Sequence, residues 1–262
     1  MSAPVSASLL SPRLARLRAV VFDTDGVLVD SARLHAAAWK VAFDALLEAA
    51  PPSSSESRRP FGTEEYRRYV DGRPRIEGAG AFLASRGIRL PLGDEKDAPG
   101  IDSVWAVAAR KEQDFTARLR TGEVRVWPGT VRLLSVLRAA RVPCAAVSAS
   151  RHARELLTRT GLLVPPLVVL VDGQEAVRLG LAGKPEPDLF REAAARLETA
   201  VLDTAVVEDA LAGVEAGRRG GFGLVVGVNR SGDPDGADDL LEYGADLVVD
   251  DLGDLVEQGR DA

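Results

Sequence analysis

The chain is poor in the residues that make covalent cross-links and soft metal sites. It has one cysteine, Cys144, and two histidines, His35 and His152, in 262 residues. A single cysteine excludes an intrachain disulfide. Its place inside an apolar run reads as a small buried hydrophobe, and a reducing, cytoplasmic setting fits. So few soft ligands do not supply a structural zinc site, and any metal here is expected to be held by oxygen. No apolar run approaches the roughly 18 residues needed to span a bilayer. The N-terminal MSAPVSASLLSPRLARLR has no signal-type apolar block. Positive charge is in deficit too: the formal net charge is -6, which gives no footprint for nucleic acid or an anionic membrane. What the chain does have is 46% apolar residues, enough to bury a sizeable core.

The stretch AVVFDTDGVLVDS, residues 19–31, carries the first chemical signal. Ala19 to Phe22 form an apolar run that reads as a buried strand. In an extended chain the side chains at i and i+2 point the same way, so Asp23 and Asp25 are expected to face one site. Two carboxylates that close repel unless a cation or proton lies between them. Gly26 then allows a sharp turn. The pattern fits an ion site at the carboxyl edge of a sheet. Asp-Gly after a strand is equally a turn signal.

Residues 1–17 read as a loose leader with some helical tendency. Leu34, Ala38, Val41, Ala45 and Leu46 recur at helical steps, so a helix is expected from Ser31, itself a plausible cap. PPSSSESRRP (51–60) and PLGDEKDAPG (91–100) read as loops. TEEYRRYV, IEGAGAFLASRG and VWAVAARKEQDFTARLR carry helical patterning without strands. Residues 33–122 are therefore expected to form a helical subdomain. After Trp127-Pro128-Gly129 the texture alternates. VPCAAVS, LVVLVD, TAVVED, FGLVVGV and DLVVDD read as strands; VRLLSVLRAA, ARELLTRT, PDLFREAAARL and ALAGVEAGRR read as helices. Such alternation means a parallel sheet covered on both faces. The fold class is α/β, with residues 1–32 and 123–262 as the core and the helical block interrupting it.

Chemistry-bearing residues fall at the ends of these strands: Asp23 and Asp25, then Ser148, then Lys184 in GKPEPDLF, then Glu208 and Asp209. In a parallel sheet such ends share one edge. Together they suggest phosphoryl transfer, in which charge spreads over the equatorial oxygens. Magnesium held by Asp23, Asp209 and Glu208 would neutralise part of it. Lys184 would add a point charge and Ser148 a hydroxyl donor. Asp23 would be the nucleophile and Asp25 the acid and base. Each residue also has a plainer role. Ser148 could cap a helix, Lys184 could sit on the surface, and Glu208 and Asp209 could suit a helix dipole.

The pieces FDTDGVLVDS, AAVSAS, GKPEPDLF and VVEDALAGVEAG occur in that order and resemble the haloacid dehalogenase superfamily, in its β-phosphoglucomutase-like branch. The resemblance runs from residue 18 onward. It implies a Rossmann-like doubly wound parallel sheet with an all-helical cap inserted after the first strand. It also implies Mg2+, held by Asp23, Glu208, Asp209 and the backbone carbonyl of Asp25. Asp23 and Asp25 match the nucleophile and the acid/base. Ser148 and Lys184 match the phosphate-binding pair, with Ala149 and Ser150 beside them. In the cap, His35 and Trp39 lie one helical turn apart and resemble the pair at the cap entrance. VDGRPRIEG, with Gly72 and Arg75, resembles the loop that grips a distal phosphate. Lys111 resembles the lysine that couples closure to the acid/base. Outside that likeness, His35 could be an ordinary helix residue, Arg75 a solvated one, and Trp39 could simply pack the cap.

Four positions depart from the branch pattern: His152 in place of asparagine, Glu112 of an amide, Ala210 of a serine, and Thr24 of an apolar residue. Three functional classes follow. One is an isomerase moving a phosphoryl group between C1 and C6 of a hexose, β-glucose 1-phosphate to glucose 6-phosphate, through a bisphosphate that turns over in a closed site. Another is a phosphatase of small sugar or glycolate phosphates. The last is a binding protein that kept the fold and lost catalysis. The expected partner is a small phosphorylated sugar, with no nucleic acid or membrane, and the expected state is a monomer.

Overall fold

A computed structural model describes residues 9–49 and 59–257. The chain divides into two compact units, one made of the residues up to Asp30 and those from Arg125, the other of Ser31–Val124.

The first unit is built on six strands: β1 (Ala19–Asp23), β2 (Cys144–Val147), β3 (Leu167–Val171), β4 (Thr204–Glu208), β5 (Leu224–Val228) and β6 (Leu247–Val249). Their order is β3-β2-β1-β4-β5-β6 and every neighbouring pair is parallel. The central strands are buried throughout, as apolar runs covered on both faces must be. Strand order reverses between β1 and β4, and open α/β sheets form their ligand crevice at such a point. The register pairs Phe22 with Val207, so Asp23 and Glu208, each one residue further on, leave the sheet side by side.

The second unit carries α1 (Ala32–Ala49), α2 (Thr63–Glu65, continuing as a π turn over Tyr66–Val70), α3 (Arg75–Ser85) and α4 (Val104–Thr121). Phe43, Phe61 and Phe82 meet at its centre with ring centroids 4.2–4.8 Å apart. The carbonyl of Ser31 accepts from the amides of Leu34 and His35 at the start of α1. Val41 is exposed, unlike the expected stripe. The buried face of α1 is instead Leu34, Ala38, Trp39, Ala42, Phe43, Leu46 and Leu47, because Trp39 and Phe43 bring far more apolar area than one valine.

In the first unit follow α5 (Pro128–Ala139), α6 (Ala153–Arg159), α7 (Gly173–Leu179), α8 (Asp188–Arg196), α9 (Leu211–Gly220) and α10 (Pro234–Glu242). Leu189, Phe190, Ala193 and Val214 from α8 and α9 pack on Val21, Val147 and Val206. Sequence patterning signals neither α7 nor α10. The first is only seven residues long, and the second, PDGADDLLE, is rich in weak helix formers. Three strands stop one residue short of expectation, leaving Ser148, Asp172 and Asp209 just past β2, β3 and β4. Phe222 and Gly223 precede β5, since the Gly223 amide turns back to Val201 and Thr204.

The leader is not loose where it is described. Leu10 bridges Val256, Leu14–Arg16 form a 3-10 turn, and Leu10 and Leu14 are buried. Residues 1–8, and 51–58 of the expected polar loop, lie outside the described residues. Cys144 is buried, and burial pushes its thiol far up. Among the described residues no helix is long and apolar enough to cross a membrane.

Candidate active site

β1 delivers Asp23 to the carboxyl edge and the chain then leaves extended geometry at once. The amides of Leu28 and Val29 return to the Thr24 carbonyl. Asp23 and Asp25 meet because the turn folds the Asp25 amide onto Asp23 Oδ2 at 2.8 Å. The turn reading of this stretch holds, and the turn brings the two acids to the same edge. Thr24, one of the departures, fastens this turn to its neighbour, since its hydroxyl donates to the Val147 carbonyl of β2 at 3.0 Å.

Around Asp23 the structure gathers groups from four elements. Carboxylate oxygens of Asp23, Glu208 and Asp209 lie within 4.8 Å of one another. Lys184 is wholly buried and its Nζ donates to both Asp23 Oδ1 and Glu208 Oε1, so it is no surface lysine. Glu208 Oε2 accepts from the Ala210 amide at 2.8 Å, just ahead of α9. Ser148 caps no helix: its hydroxyl donates to Asp25 Oδ2 at 2.9 Å and accepts from the Ser150 amide at 2.9 Å. The Ser150 hydroxyl in turn accepts from the His152 amide at 3.2 Å. Ala149 completes this turn, where a Cβ on Gly173 would lie 2.6 Å from the Ala149 carbonyl oxygen.

Two glycines make room for the acids. Gly26 has φ +87°, and a Cβ there would stand 1.8 Å from Asp209 Oδ2. A Cβ on Gly213 would stand 1.8 Å from Glu208 Oε1. The Gly26 turn was legible in the sequence; its contact with Asp209 was not. Gly213 gave no signal beyond standing one helical turn after the acidic pair.

The charges do not balance. Burial pushes the Asp23 carboxyl well above the ordinary aspartate range, against the pull of Lys184 and with further upward push from Glu208 and Asp25. Burial also works against the Lys184 ammonium, yet contact with Asp23 and Glu208 raises its pKa. One ammonium faces an excess of carboxylates, which a hard cation would relieve. Clustered carboxylate oxygens are the donor set an oxygen-preferring divalent ion takes.

The helical unit holds its own cluster. Lys111 Nζ lies 3.1 Å from His35 Nδ1, 4.4 Å from the Phe115 ring centroid and 5.8 Å from that of Trp39. The His35 ring stacks on Phe115 at 4.0 Å and Trp39 stacks on Phe43 at 4.8 Å. Gly72, at φ +70°, turns the chain before α3. Arg75 opens α3 with its guanidinium 5.5 Å from the Trp105 ring centroid, 3.5 Å from Glu112 and 4.0 Å from Glu95. The sequence singles out Arg75, Lys111 and Glu112 but gives no sign that Glu112 and Glu95 stand beside Arg75.

An edge of this kind, acids and a buried lysine at the switch point of a doubly wound sheet, marks the chain as an α/β enzyme of phosphoryl chemistry. A family model described as haloacid dehalogenase-like hydrolase matches residues 17–221. The chain belongs to that family. It is 41% identical over 242 residues to the β-phosphoglucomutase of Mycobacterium bovis, covering 92% of each chain. To hexitol phosphatase A of Escherichia coli it is 30% identical over 221 residues, 83% of this chain and 86% of that one. A solved haloacid dehalogenase family hydrolase from Deinococcus radiodurans R1, with bound phosphate and sodium, superposes with a TM-score of 0.62 at 30% identity, over 92% of this chain and 93% of that one. These likenesses support phosphotransfer or phosphatase activity.

Proposed function

We propose that the chain is a magnesium-dependent phosphotransferase acting through an aspartyl-phosphate on Asp23, and that it interconverts β-D-glucose 1-phosphate and glucose 6-phosphate. The observation that carries this reading is the meeting of Asp23, Glu208, Asp209 and Lys184 at the end of β1 and β4. The 41% identity to a β-phosphoglucomutase favours the isomerase over other phosphoryl reactions.

Asp23, Glu208 and Asp209, with the Asp25 carbonyl, would hold Mg2+. Magnesium supplies charge neutralisation at the phosphoryl oxygens, so that a carboxylate can approach phosphorus. A carboxylate oxygen of Asp23 attacks one phosphorus of a hexose bisphosphate and the phosphorus–oxygen bond to the sugar breaks, leaving a sugar monophosphate. Asp25 gives its proton to the departing sugar oxygen. In the return step Asp25 takes the proton of the free hydroxyl at the other end of a bound sugar monophosphate, that oxygen attacks the aspartyl-phosphate, and the bisphosphate and free Asp23 are regenerated. Lys184 holds Asp23 oriented and adds positive charge on the phosphate side. Ser148, with the turn at Ala149 and Ser150, binds phosphate oxygens once its hydroxyl leaves Asp25. A mutase must also hold the phosphate at the far end of the sugar. Arg75 and Gly72 are assigned that role, as a guanidinium fork suits a phosphate dianion. His35, Trp39 and Lys111 are assigned to positioning the sugar.

A second reading, hydrolysis of sugar phosphates with water as the acceptor, is favoured by Glu112 and Glu95 lying beside Arg75. Those carboxylates compete with a distal phosphate for the guanidinium. Formation of glucose 6-phosphate from β-glucose 1-phosphate, with Mg2+ and a trace of bisphosphate, is the test. Isomerisation faster than phosphate release supports the mutase; release without isomerisation replaces it with the phosphatase.

A further inference from the structure

We propose that Arg230 is a positioning residue for the cation site, holding the turn after the catalytic aspartates in the shape that seats Asp209. The inference rests on the reading that Asp23, Glu208 and Asp209 bind a divalent cation.

Arg230 follows β5 and lies outside the stretch that the family model matches. Its side chain runs back across the edge of the sheet to the first catalytic turn. Nε donates to the Gly26 carbonyl at 3.1 Å and Nη2 to the Val27 carbonyl at 3.1 Å. Nη1 is held by Asp251 Oδ2 at 2.7 Å and the Asp250 carbonyl at 3.3 Å. The guanidinium lies 4.4 Å from the Trp127 ring centroid. The Val27 carbonyl takes a second donor, the buried Thr130 hydroxyl, at 3.1 Å.

These contacts fall where the site is softest. Gly26 sits at φ +87° and its Cα is the surface against which Asp209 rests. A glycine peptide turns over at little cost. Without the Arg230 anchor the turn, and with it the Gly26 Cα against which Asp209 rests, is free to shift. A planar fork that takes two successive carbonyls fixes both peptides together. An ammonium has donors for both carbonyls but no planar fork, so lysine would hold them without fixing the two peptides in one plane. The ion pair with Asp251 and the Trp127 face in turn hold the fork in place. Partners of this kind, one step out from metal ligands, set affinity as well as fold.

The test is Mg2+ binding by titration calorimetry on the full chain, alongside kcat and KM for p-nitrophenyl phosphate. Arg230→Met and Arg230→Lys are compared with Leu240→Ala, a core truncation in α10 away from this turn. Arg230→Met is expected to weaken Mg2+ binding by about tenfold or more and to lower kcat with it. Arg230→Lys, which keeps the charge and serves if the methionine variant does not fold, is expected to fall between. Leu240→Ala is expected to lower Tm and leave Mg2+ affinity within about twofold of wild type. Wild-type affinity in folded Arg230 variants, or an equal loss in Leu240→Ala, overturns the proposal. Absence of Mg2+ binding by the wild type overturns the cation reading and this inference with it.

Discussion

Gly26 and Asp209 fit each other as a socket fits a plug: a Cβ on the glycine would lie 1.8 Å from the carboxylate oxygen Oδ2. Gly26→Ala must both push Asp209 aside and force an L side chain into φ +87°. The backbone strain alone costs about 1–3 kcal/mol. Phosphate release by Gly26→Ala is expected to fall at least about a hundredfold with Mg2+ affinity weakened, since a misplaced group at the reaction centre loses that much. Near-normal activity would mean that Asp209 does not work from this position.

Lys184 is the only ammonium in contact with Asp23 and Glu208 in the described site. Lys184→Met leaves two buried carboxylates facing each other. Breaking a buried pair from one side costs about 3–5 kcal/mol, and urea unfolding without added metal should show a loss of that order. Saturating Mg2+ should recover part of it by supplying positive charge. A variant as stable as wild type without metal would contradict the charge account.

Thr24→Val removes the hydroxyl tying this turn to the Val147 carbonyl. The buried acceptor left behind costs about 1–3 kcal/mol, read as a fall in urea midpoint. Thr24→Ser should keep most of that stability. A loss in Thr24→Ser with none in Thr24→Val would assign the effect to the methyl group.

The helical unit has a pH prediction. Glu65 is buried against Arg86, with Nη2 donating to Oε2 at 2.9 Å. Burial raises its pKa, but hydrogen bonds from Arg86 and the Gly62 amide, with the charges of Arg86 and Arg59, outweigh that and hold it below the usual glutamate range. A depressed carboxyl contributes stability above its unfolded value of about 4.3 and loses it as pH falls through the folded value. Unfolding of the wild type should therefore steepen on acidification below about pH 4. Arg86→Met should flatten that dependence and shift it upward. An unchanged acid limb would remove Glu65 from the account.

Much of the edge was legible because Asp23, Ser148, Glu208 and Asp209 end or directly follow apolar runs that read as buried strands, whereas Lys184 lies beyond α7 and was signalled only by its GKPEPDLF context. Asp23, Ser148 and Glu208 needed no long-range information. Arg230 did: its partners Gly26 and Val27 stand 204 and 203 residues away, and an arginine after a strand carries no local sign of that. The carboxylates beside Arg75 stayed hidden for the same reason, since Glu112 meets it only once α3 and α4 pack. Thr24 looked like a mere departure because its value is a hydrogen bond to another strand. The short α7 and the aspartate-rich α10 lacked the periodicity that revealed α4 and α9.

The central claim is that Asp23 takes the phosphoryl group. Intact-mass analysis of enzyme quenched in acid during turnover of β-glucose 1-phosphate tests it, with peptide mapping of the adduct. The account predicts a phosphoryl adduct on the peptide bearing Asp23, absent from Asp23→Asn. An adduct on another residue, or the same adduct in Asp23→Asn, would contradict it.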